Sequence, residues 1–505
     1  MGKTIILLGI PVEDLTMNEA MARCEAYIRA GRATGRPHYV TTANADFAVL
    51  GLKDPELRRL LLESDMTTAD GMPLVWGSRL LGLPIEGRVT GSDMVPALAE
   101  LCARNGFSIF FLGAREGVAA RTAEVLKQRY PDLKVAGCYS PPPAPLLEMD
   151  PTIVDRVRAA KPDLLLVAFG TPKQEKWIKM HLFNLQVPLS IGVGASFDFI
   201  VGEQRRAPLW MQRAGLEWLF RLINEPRRLW KRYVLDMFYF GVFFVRQFWE
   251  MRVRHAPTTP PPPPDLRLVE DVPVMRIVGR MDVANQDSFV QRAQQSLAER
   301  PYLIIDMSET TFLDSSALGA LVTLTRTARN AGGQLWLVRV PEPIFQIFTM
   351  MRLENFFEVR ADIESAIVQR YSEPEPDPTP EPVATGWSVV KMPKVVDATN
   401  ASTLHERCSE GLATNPWMVL DFSETVFLAS AGLAMMVKLD REAKERGGRL
   451  LVAGCARDVA RTIQMVRLDQ VLTLVDSLAA ANAIPTTPPS APEPPAVPLP
   501  APRHS

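Results

Sequence analysis

The chain has 505 residues, 47% of them hydrophobic, and carries 56 basic against 57 acidic side chains for a formal net charge of −1. At roughly 150 residues per domain the length predicts about three domains rather than one. Balanced charge argues against nucleic acid as a partner, and five scattered cysteines without metal-ligand spacing argue against a zinc site and a disulfide framework, which fits a reducing cytoplasm.

The amino-terminal run Thr4-Ile-Ile-Leu-Leu-Gly-Ile10 is too short for a signal peptide and reads as the first buried strand. From there to about residue 200, short apolar runs alternate with helical patterns, the signature of βαβ units and of a Rossmann-like, mostly parallel α/β sheet. Ser108–Gly113 and Asp163–Gly170 are the clearest strands, apolar along their length and ending on glycine, as strands covered on both faces do. Four motifs fall where strands are expected to end: Thr42-Ala-Asn-Ala-Asp46, Ala69-Asp-Gly-Met-Pro73, Gly170-Thr-Pro-Lys-Gln-Glu175 and Gly192-Val-Gly-Ala-Ser-Phe-Asp198. Ligands of open α/β sheets bind beyond the carboxyl ends of the strands, so these loops are expected to converge on one cleft.

Together with Arg206-Ala-Pro208 and Gly215-Leu-Glu-Trp-Leu-Phe-Arg-Leu222, the four motifs resemble the WecG/TagA/CpsF type of bacterial glycosyltransferase, which includes teichoic-acid N-acetylmannosaminyltransferases. The resemblance covers residues 4 to 235. It implies an inverting transfer from a UDP-sugar donor to a polyprenyl-diphosphate-linked acceptor at the inner face of the cytoplasmic membrane. Such a reaction needs one carboxylate as general base on the acceptor hydroxyl. Asp70 is the candidate, because Gly71 and Pro73 form a tight turn that holds it at the cleft mouth, and the resemblance assigns a base to this motif; the alternative is an Asp that caps the next helix. The resemblance makes Gln174 a site residue, with Glu175 a first-turn charge on the helix that follows. Thr42, Asn44, Asp46 and Asp198 are candidates for hydrogen bonds to sugar hydroxyls or an acetamido group, with Gly192 and Gly194 in the same turn as Asp198. Gly113 opens a glycine turn into a helix, which either cradles phosphate or serves close packing.

No Asp-x-Asp motif stands at a strand end, so no metal and no cofactor is expected, and the diphosphate is to be neutralised by protein cations. The segment 204–233 is rich in them. Arg221, Arg228, Lys231 and Arg232 are the diphosphate-binding candidates, the three arginines sharing one helical face unless Pro226 breaks the helix or starts a second. The resembled family uses such an appendage to bring arginines to the site and to hold the enzyme on the membrane. Tyr233–Val245 is largely aromatic but, at thirteen residues, short of the ~20 a spanning helix needs, and suits a membrane interface better than a span; the alternative is packing on the protein's own core.

Proline-rich stretches at 257–264 and 372–386 and a proline-rich tail at 485–505 read as linkers and a disordered end. They bound a transferase domain at 1–203, the basic appendage at 204–256, and two further domains at 265–371 and 387–484. These two are a repeat: Asp306-Met-Ser-Glu-Thr-Thr-Phe-Leu-Asp-Ser-Ser-Ala-Leu-Gly319 aligns with Asp421-Phe-Ser-Glu-Thr-Val-Phe-Leu-Ala-Ser-Ala-Gly-Leu-Ala434, and Gly332-Gly333 with Gly447-Gly448. Each resembles the STAS domain of anti-sigma-factor antagonists and sulfate transporters. That resemblance implies a serine phosphorylated by a partner kinase, here Ser316 with Asp314 two residues before it; the second copy has Ala431 and Ala429 there. The competing reading is a signalling scaffold, acting through STAS protein contacts, whose transferase-like domain is inactive.

Overall fold

The computed structural model of the protein describes residues 3–204, 206–213, 216–224, 226–253, 266–371, 381–382, 386–484 and 486. The chain divides into two compact units, Met1–Glu373 and Pro374–Ser505.

In the first unit, strands β1 (Thr4–Leu7) and β2 (Ile10–Glu13) form an antiparallel hairpin. Strands β3 (His38–Ala43), β4 (Met66–Ala69), β5 (Ser108–Gly113), β6 (Lys134–Tyr139), β7 (Leu164–Ala168) and β8 (Leu189–Gly192) then build a wholly parallel sheet in the order β4-β3-β8-β7-β5-β6. Side chains alternate between the two faces of a strand, and here both faces are covered by helices. Leu164 and Leu166 therefore enter one core, with Ile109, Phe111 and Ile191, while Leu165 and Val167 enter the other, with Phe110 and Leu112. That burial is why these strands read as continuous apolar runs.

The amino-terminal run is indeed a buried strand, but it lies outside the parallel sheet. Its only strand partner among the described residues is β2, with Ile5 facing Val12 and Leu7 facing Ile10. Leu8 and Gly9 both take positive φ, which lets the chain reverse between the two strands.

Beyond the sheet the chain forms two helices where one continuous helix was an alternative. Glu217–Asn224 ends before Glu225, and a second helix, Pro226–Phe248, starts at the proline, whose fixed φ and missing N–H suit a first helical position. This appendage helix has two apolar faces. Phe240 and Phe244 are buried against the helix Met72–Leu80, where Gly77 leaves just enough room: a Cβ there would lie 3.1 Å from Phe244. Val234, Phe238, Val242, Val245 and Trp249, spaced three or four residues apart, are each more than half exposed.

The unit closes with a five-stranded sheet of the first repeat. Strands β9 (Leu266–Val269), β10 (Val272–Met281), β11 (Tyr302–Leu313), β12 (Gln334–Val338) and β13 (Glu358–Arg360) are ordered β13-β12-β11-β10-β9, all parallel except β9. Asp314 caps the helix Ser315–Asn330 by accepting from the Ala317 amide at 2.8 Å. The second unit repeats the pattern, its sheet running Glu381–Pro382, Ser388–Lys391, Trp417–Asp421, Arg449–Ala453, Thr473–Val475, with the helix Ser430–Glu445 matching Ser315–Asn330. At that helix the second copy has Ala429 in the cap position, and no side-chain cap bond forms.

Candidate active site

The four motifs end or follow β3, β4, β7 and β8, which are adjacent in the sheet as β4-β3-β8-β7. Adjacent parallel strands deliver their carboxyl ends to one edge, so the topology gathers the four loops. The β3 and β4 loops are pressed together. The Asp70 amide donates to the Ala43 carbonyl at 2.7 Å, and a Cβ on Gly71 would come within 3.3 Å of the Asn44 Cβ.

A cleft opens at this edge. It is lined by Asn44, Asp46, Asp70, Trp76 and Arg88 together with Glu217, Trp218, Tyr233 and Met237 of the two appendage helices. One Asp70 carboxylate oxygen accepts from the Gly91 amide at 3.3 Å. Gly71, not Asp70, occupies the cap position of the next helix, Met72–Leu80; the amide that Asp70 accepts from is the first of another helix, Gly91–Asn105. Asn44 is the cap of Ala45–Lys53, its side-chain oxygen accepting from the Phe47 amide at 3.2 Å. That bond fixes the side chain at the cleft edge. Thr42 is 6% exposed, and its hydroxyl lies beside Gly91 rather than on the cleft wall.

Gln174 does not line the cleft. It is 2% exposed, and its amide oxygen accepts from the Gly170 and Gly194 amides at 3.1 Å each, so one side chain ties the loop after β7 to the loop after β8. Its nitrogen donates to Glu175 at 2.6 Å. Gly192 is where this pair passes the β8 backbone, since a Cβ there would lie 2.8 Å from the Gln174 nitrogen and 2.9 Å from the Glu175 oxygen. Glu175 is 2% exposed, and burial pushes its carboxyl up to about 7, the hydrogen bond from Gln174 offsetting part of the effect.

Gly113 and Asp198 stand away from the cleft lining. A Cβ on Gly113 would fall 2.8 Å from the Ala168 carbonyl, so close packing of β5 against β7 accounts for this glycine. Asp198 faces Arg115 at 3.3 Å. Lys231 is exposed, its ammonium 5.8 Å from the Trp230 ring centroid. Arg221, Arg228 and Arg232 lie on the two appendage helices, and their side chains are outside the described residues.

Two further arginines stand nearby: Arg88, absent from the sequence reading, and Arg206, read there within the motif Arg206-Ala-Pro208. Arg88, 15% exposed, pairs with Glu217 at 2.9 Å and lines the cleft; the Val89 amide bonds the Ala69 carbonyl at 2.9 Å, which sets Arg88 beside Asp70. Arg206 makes a two-pronged bond to Asp93 at 2.6 and 2.9 Å. Although burial pushes the Asp93 carboxyl up, the bonds from Arg206 and Thr90 hold it below the ordinary carboxylate range. The only local signal for Arg88 was a single cation between Gly87 and Val89 in a segment without helical or strand periodicity.

In the first repeat, Ser316 is 1% exposed and its hydroxyl accepts from the Gln286 side chain. Asp314, besides capping its helix, accepts from the Val283 amide at 3.1 Å; burial pushes its carboxyl up to about 6.

Burial of Glu175 makes stability depend on pH. With a folded value near 7 against 4.5 unfolded, the folded state binds the extra proton between those limits, so the contribution of Glu175 to stability falls as pH rises through that window. Glu175→Gln removes the loss. Relative to wild type it gains up to about 3 kcal/mol between pH 4.5 and 7.5, measurable by denaturant unfolding at both values; a pH-independent difference between the two proteins contradicts the buried-carboxyl account.

The family model for glycosyl transferase WecG/TagA/CpsF matches residues 5–254, and the STAS domain model matches residues 263–366 and 381–481. Similar curated proteins are named N-acetylglucosaminyldiphosphoundecaprenol N-acetyl-beta-D-mannosaminyltransferase. One, from Bacillus spizizenii, is 31% identical over 194 residues, covering 38% of this chain and 74% of its own. Another, from Bacillus subtilis, is 35% identical over 194 residues, 38% of this chain and 73% of its own. A Staphylococcus aureus relative is 25% identical over 237 residues, 47% of this chain and 91% of its own. The six-stranded parallel sheet, its loaded strand ends and these matches agree: the chain belongs to the WecG/TagA/CpsF family of glycosyltransferases and carries two STAS domains behind its transferase domain.

Proposed function

We propose that the protein transfers N-acetylmannosamine, or a closely related hexose, from its UDP-sugar to an N-acetylglucosamine carried on a polyprenyl diphosphate, in the synthesis of a cell-surface polysaccharide. The observation that carries the reading is a cleft that Asp70 lines together with residues of the appendage helices. In this reading the acceptor hydroxyl gives its proton to Asp70 as its oxygen attacks the anomeric carbon. The bond from that carbon to the diphosphate breaks on the opposite face, inverting the centre, and UDP leaves with the bonding electrons. Arg88 and the appendage candidates Arg221, Arg228, Lys231 and Arg232 neutralise the diphosphate without a metal. Asn44 and Asp46 orient the sugar from the cleft edge, while Gln174 acts from behind it by holding two of the loops in register.

The exposed stripe from Val234 to Trp249 supports action at a membrane surface. None of the described helices is long and apolar enough to cross a membrane. An amphipathic helix with exposed Arg227, Lys231 and Arg246 beside an apolar stripe lies in the headgroup region of an anionic bilayer, where a polyprenyl-linked acceptor is reached from the inner face.

Asp70→Asn is expected to lower turnover by roughly 10²-fold or more with donor binding retained, the usual scale for losing a general base. Release of UDP from the UDP-sugar in the presence of a synthetic acceptor is the assay; near-normal turnover removes Asp70 from the role, and no release by wild type from any UDP-hexose favours the scaffold reading. Chelator is expected to leave turnover unchanged, and strict dependence on added magnesium or manganese contradicts neutralisation by arginine. Vesicles containing anionic lipid are expected to bind the full chain, less so at high salt and less so after Val242→Glu or Val245→Glu. Equal sedimentation of wild type and both variants at all salt concentrations rules out the interfacial helix.

A further inference from the structure

The first STAS domain is packed into the transferase domain through the helix Ser315–Asn330. That helix lies so close to β1 that a Cβ on Gly319 would fall 1.9 Å from the Thr4 carbonyl oxygen. Four residues on, the Thr323 hydroxyl meets the Thr4 hydroxyl at 3.1 Å. Arg326, 9% exposed, donates to the Leu61 and Leu62 carbonyls and lies 3.7 Å from the buried Glu13 carboxylate. Ile6, Leu62 and Met251 are buried within the hydrophobic core of the STAS domain itself.

At the amino end of the same helix one side chain joins three segments. Gln247, 2% exposed in the last turn of the appendage helix, accepts from the Leu8 amide at 3.0 Å and donates to the Ile6 carbonyl at 2.8 Å and to the Ser315 hydroxyl at 2.9 Å. Burial without partners is costly for a primary amide, so this position tolerates Gln247 only with all three in place.

The second STAS copy shows what the same helix face looks like without this packing. Where the first copy has Gly319 and Thr323, the second has Ala434 and an exposed Lys438, and the counterpart of buried Arg326 is Arg441, exposed and paired with Glu445 on its own helix. A methyl group at the first position and an ammonium at the second exclude the close backbone approach that the first copy makes.

We propose that the first STAS domain is a built-in positioning element of the transferase, and that Gln247 is the positioning residue through which it holds the appendage helix over the cleft. The appendage helix runs without a break from Tyr233 and Met237, which line the cleft, to Gln247, roughly 21 Å at 1.5 Å per residue. Phe240 and Phe244 grip the helix Met72–Leu80 in between, so a shift at Gln247 is carried to the cleft wall. Ser316 sits on the docked helix, bonded to Gln286 of its own domain, and lines a pocket together with Lys3 and Thr4. The activity part of this proposal rests on the transferase reading above; the docking part does not.

The test uses the full chain with Gly319→Ala and, separately, Gln247→Ala. Alanine favours a helix over glycine, so damage from the first change comes from the interface and not from the STAS fold. Amide hydrogen exchange is expected to rise about tenfold or more in residues 4–13 and 226–248 of both variants, while β11 and β12 keep wild-type protection. With UDP-sugar and acceptor, KM for the acceptor is expected to rise several-fold more than kcat falls, because the cleft wall moves while Asp70 stays in place. Wild-type exchange in 226–248 in both variants overturns the docking role, and raised exchange with an unchanged acceptor KM overturns the positioning role. If Gly319→Ala loses protection throughout, Gln247→Ala, which adds no atoms, decides alone. If wild type shows no transfer at all, the transferase reading fails while the exchange data still decide the docking.

Discussion

A two-stranded ribbon cannot bury both of its own faces, and much of the first unit is arranged around that limitation. The hairpin of β1 and β2 carries Ile5, Ile6, Leu7, Leu8, Ile10 and Val12, all at most 4% exposed. Ile5, Leu7, Leu8, Ile10 and Val12 enter a core shared with Phe47, Leu74 and the appendage residues Phe240 and Phe244. Ile6 turns the other way and joins the core of the first STAS domain. The ribbon is thus the common wall of two hydrophobic cores, and Gln247 bonds the buried Leu8 amide and Ile6 carbonyl where the two cores meet. A contact that includes a buried arginine on main-chain carbonyls and a glycine against a carbonyl is closer in kind to a domain interior than to a transient docking surface.

The cleft depends on a second economy. Parallel strands put one edge of the sheet at the disposal of four loops, and two small devices keep those loops in register. One is the Gln174 side chain, accepting from Gly170 and Gly194 together. The other is the direct backbone bond from Asp70 to Ala43. Gln174 stands outside the cleft lining and the Asp70 bond is made by its backbone, yet both set the spacing of the loops that line the cleft. The buried Glu175 behind Gln174 is the cost of this arrangement, since it accepts from the Gln174 nitrogen and so helps aim that side chain, while burial pushes its own carboxyl up to about 7.

The sequence disclosed what is local and periodic. Parallel strands, the proline start of the appendage helix, the repeat and the strand-end placement of Asp70, Asn44 and Asp46 all leave marks within a dozen residues. What it hid is set by contacts between residues far apart in the chain. The run from Thr4 to Ile10 announced a buried strand, but nothing in it says that its cover arrives with residues 315–330. Gln174 has the composition of a cleft residue, and only the passage of Gly192 across it shows that it faces inward. Arg88 belongs to no periodic segment, so its place beside Asp70 follows from the Val89 to Ala69 bond alone. The alignment of the repeats pairs Gly319 with Ala434, and only the Thr4 carbonyl gives the glycine its reason.

The hairpin's dependence on the first STAS domain also has a temporal side. Its apolar ribbon leaves the ribosome about 300 residues before the helix that covers it, which at 5–20 residues per second is a wait on the order of 15–60 s. During that interval Ile6 lacks the STAS core that covers it in the folded protein. A nascent chain in that state is a natural client for a holding chaperone, and a stretch of slow translation between the appendage and the first STAS domain lengthens its exposure to aggregation.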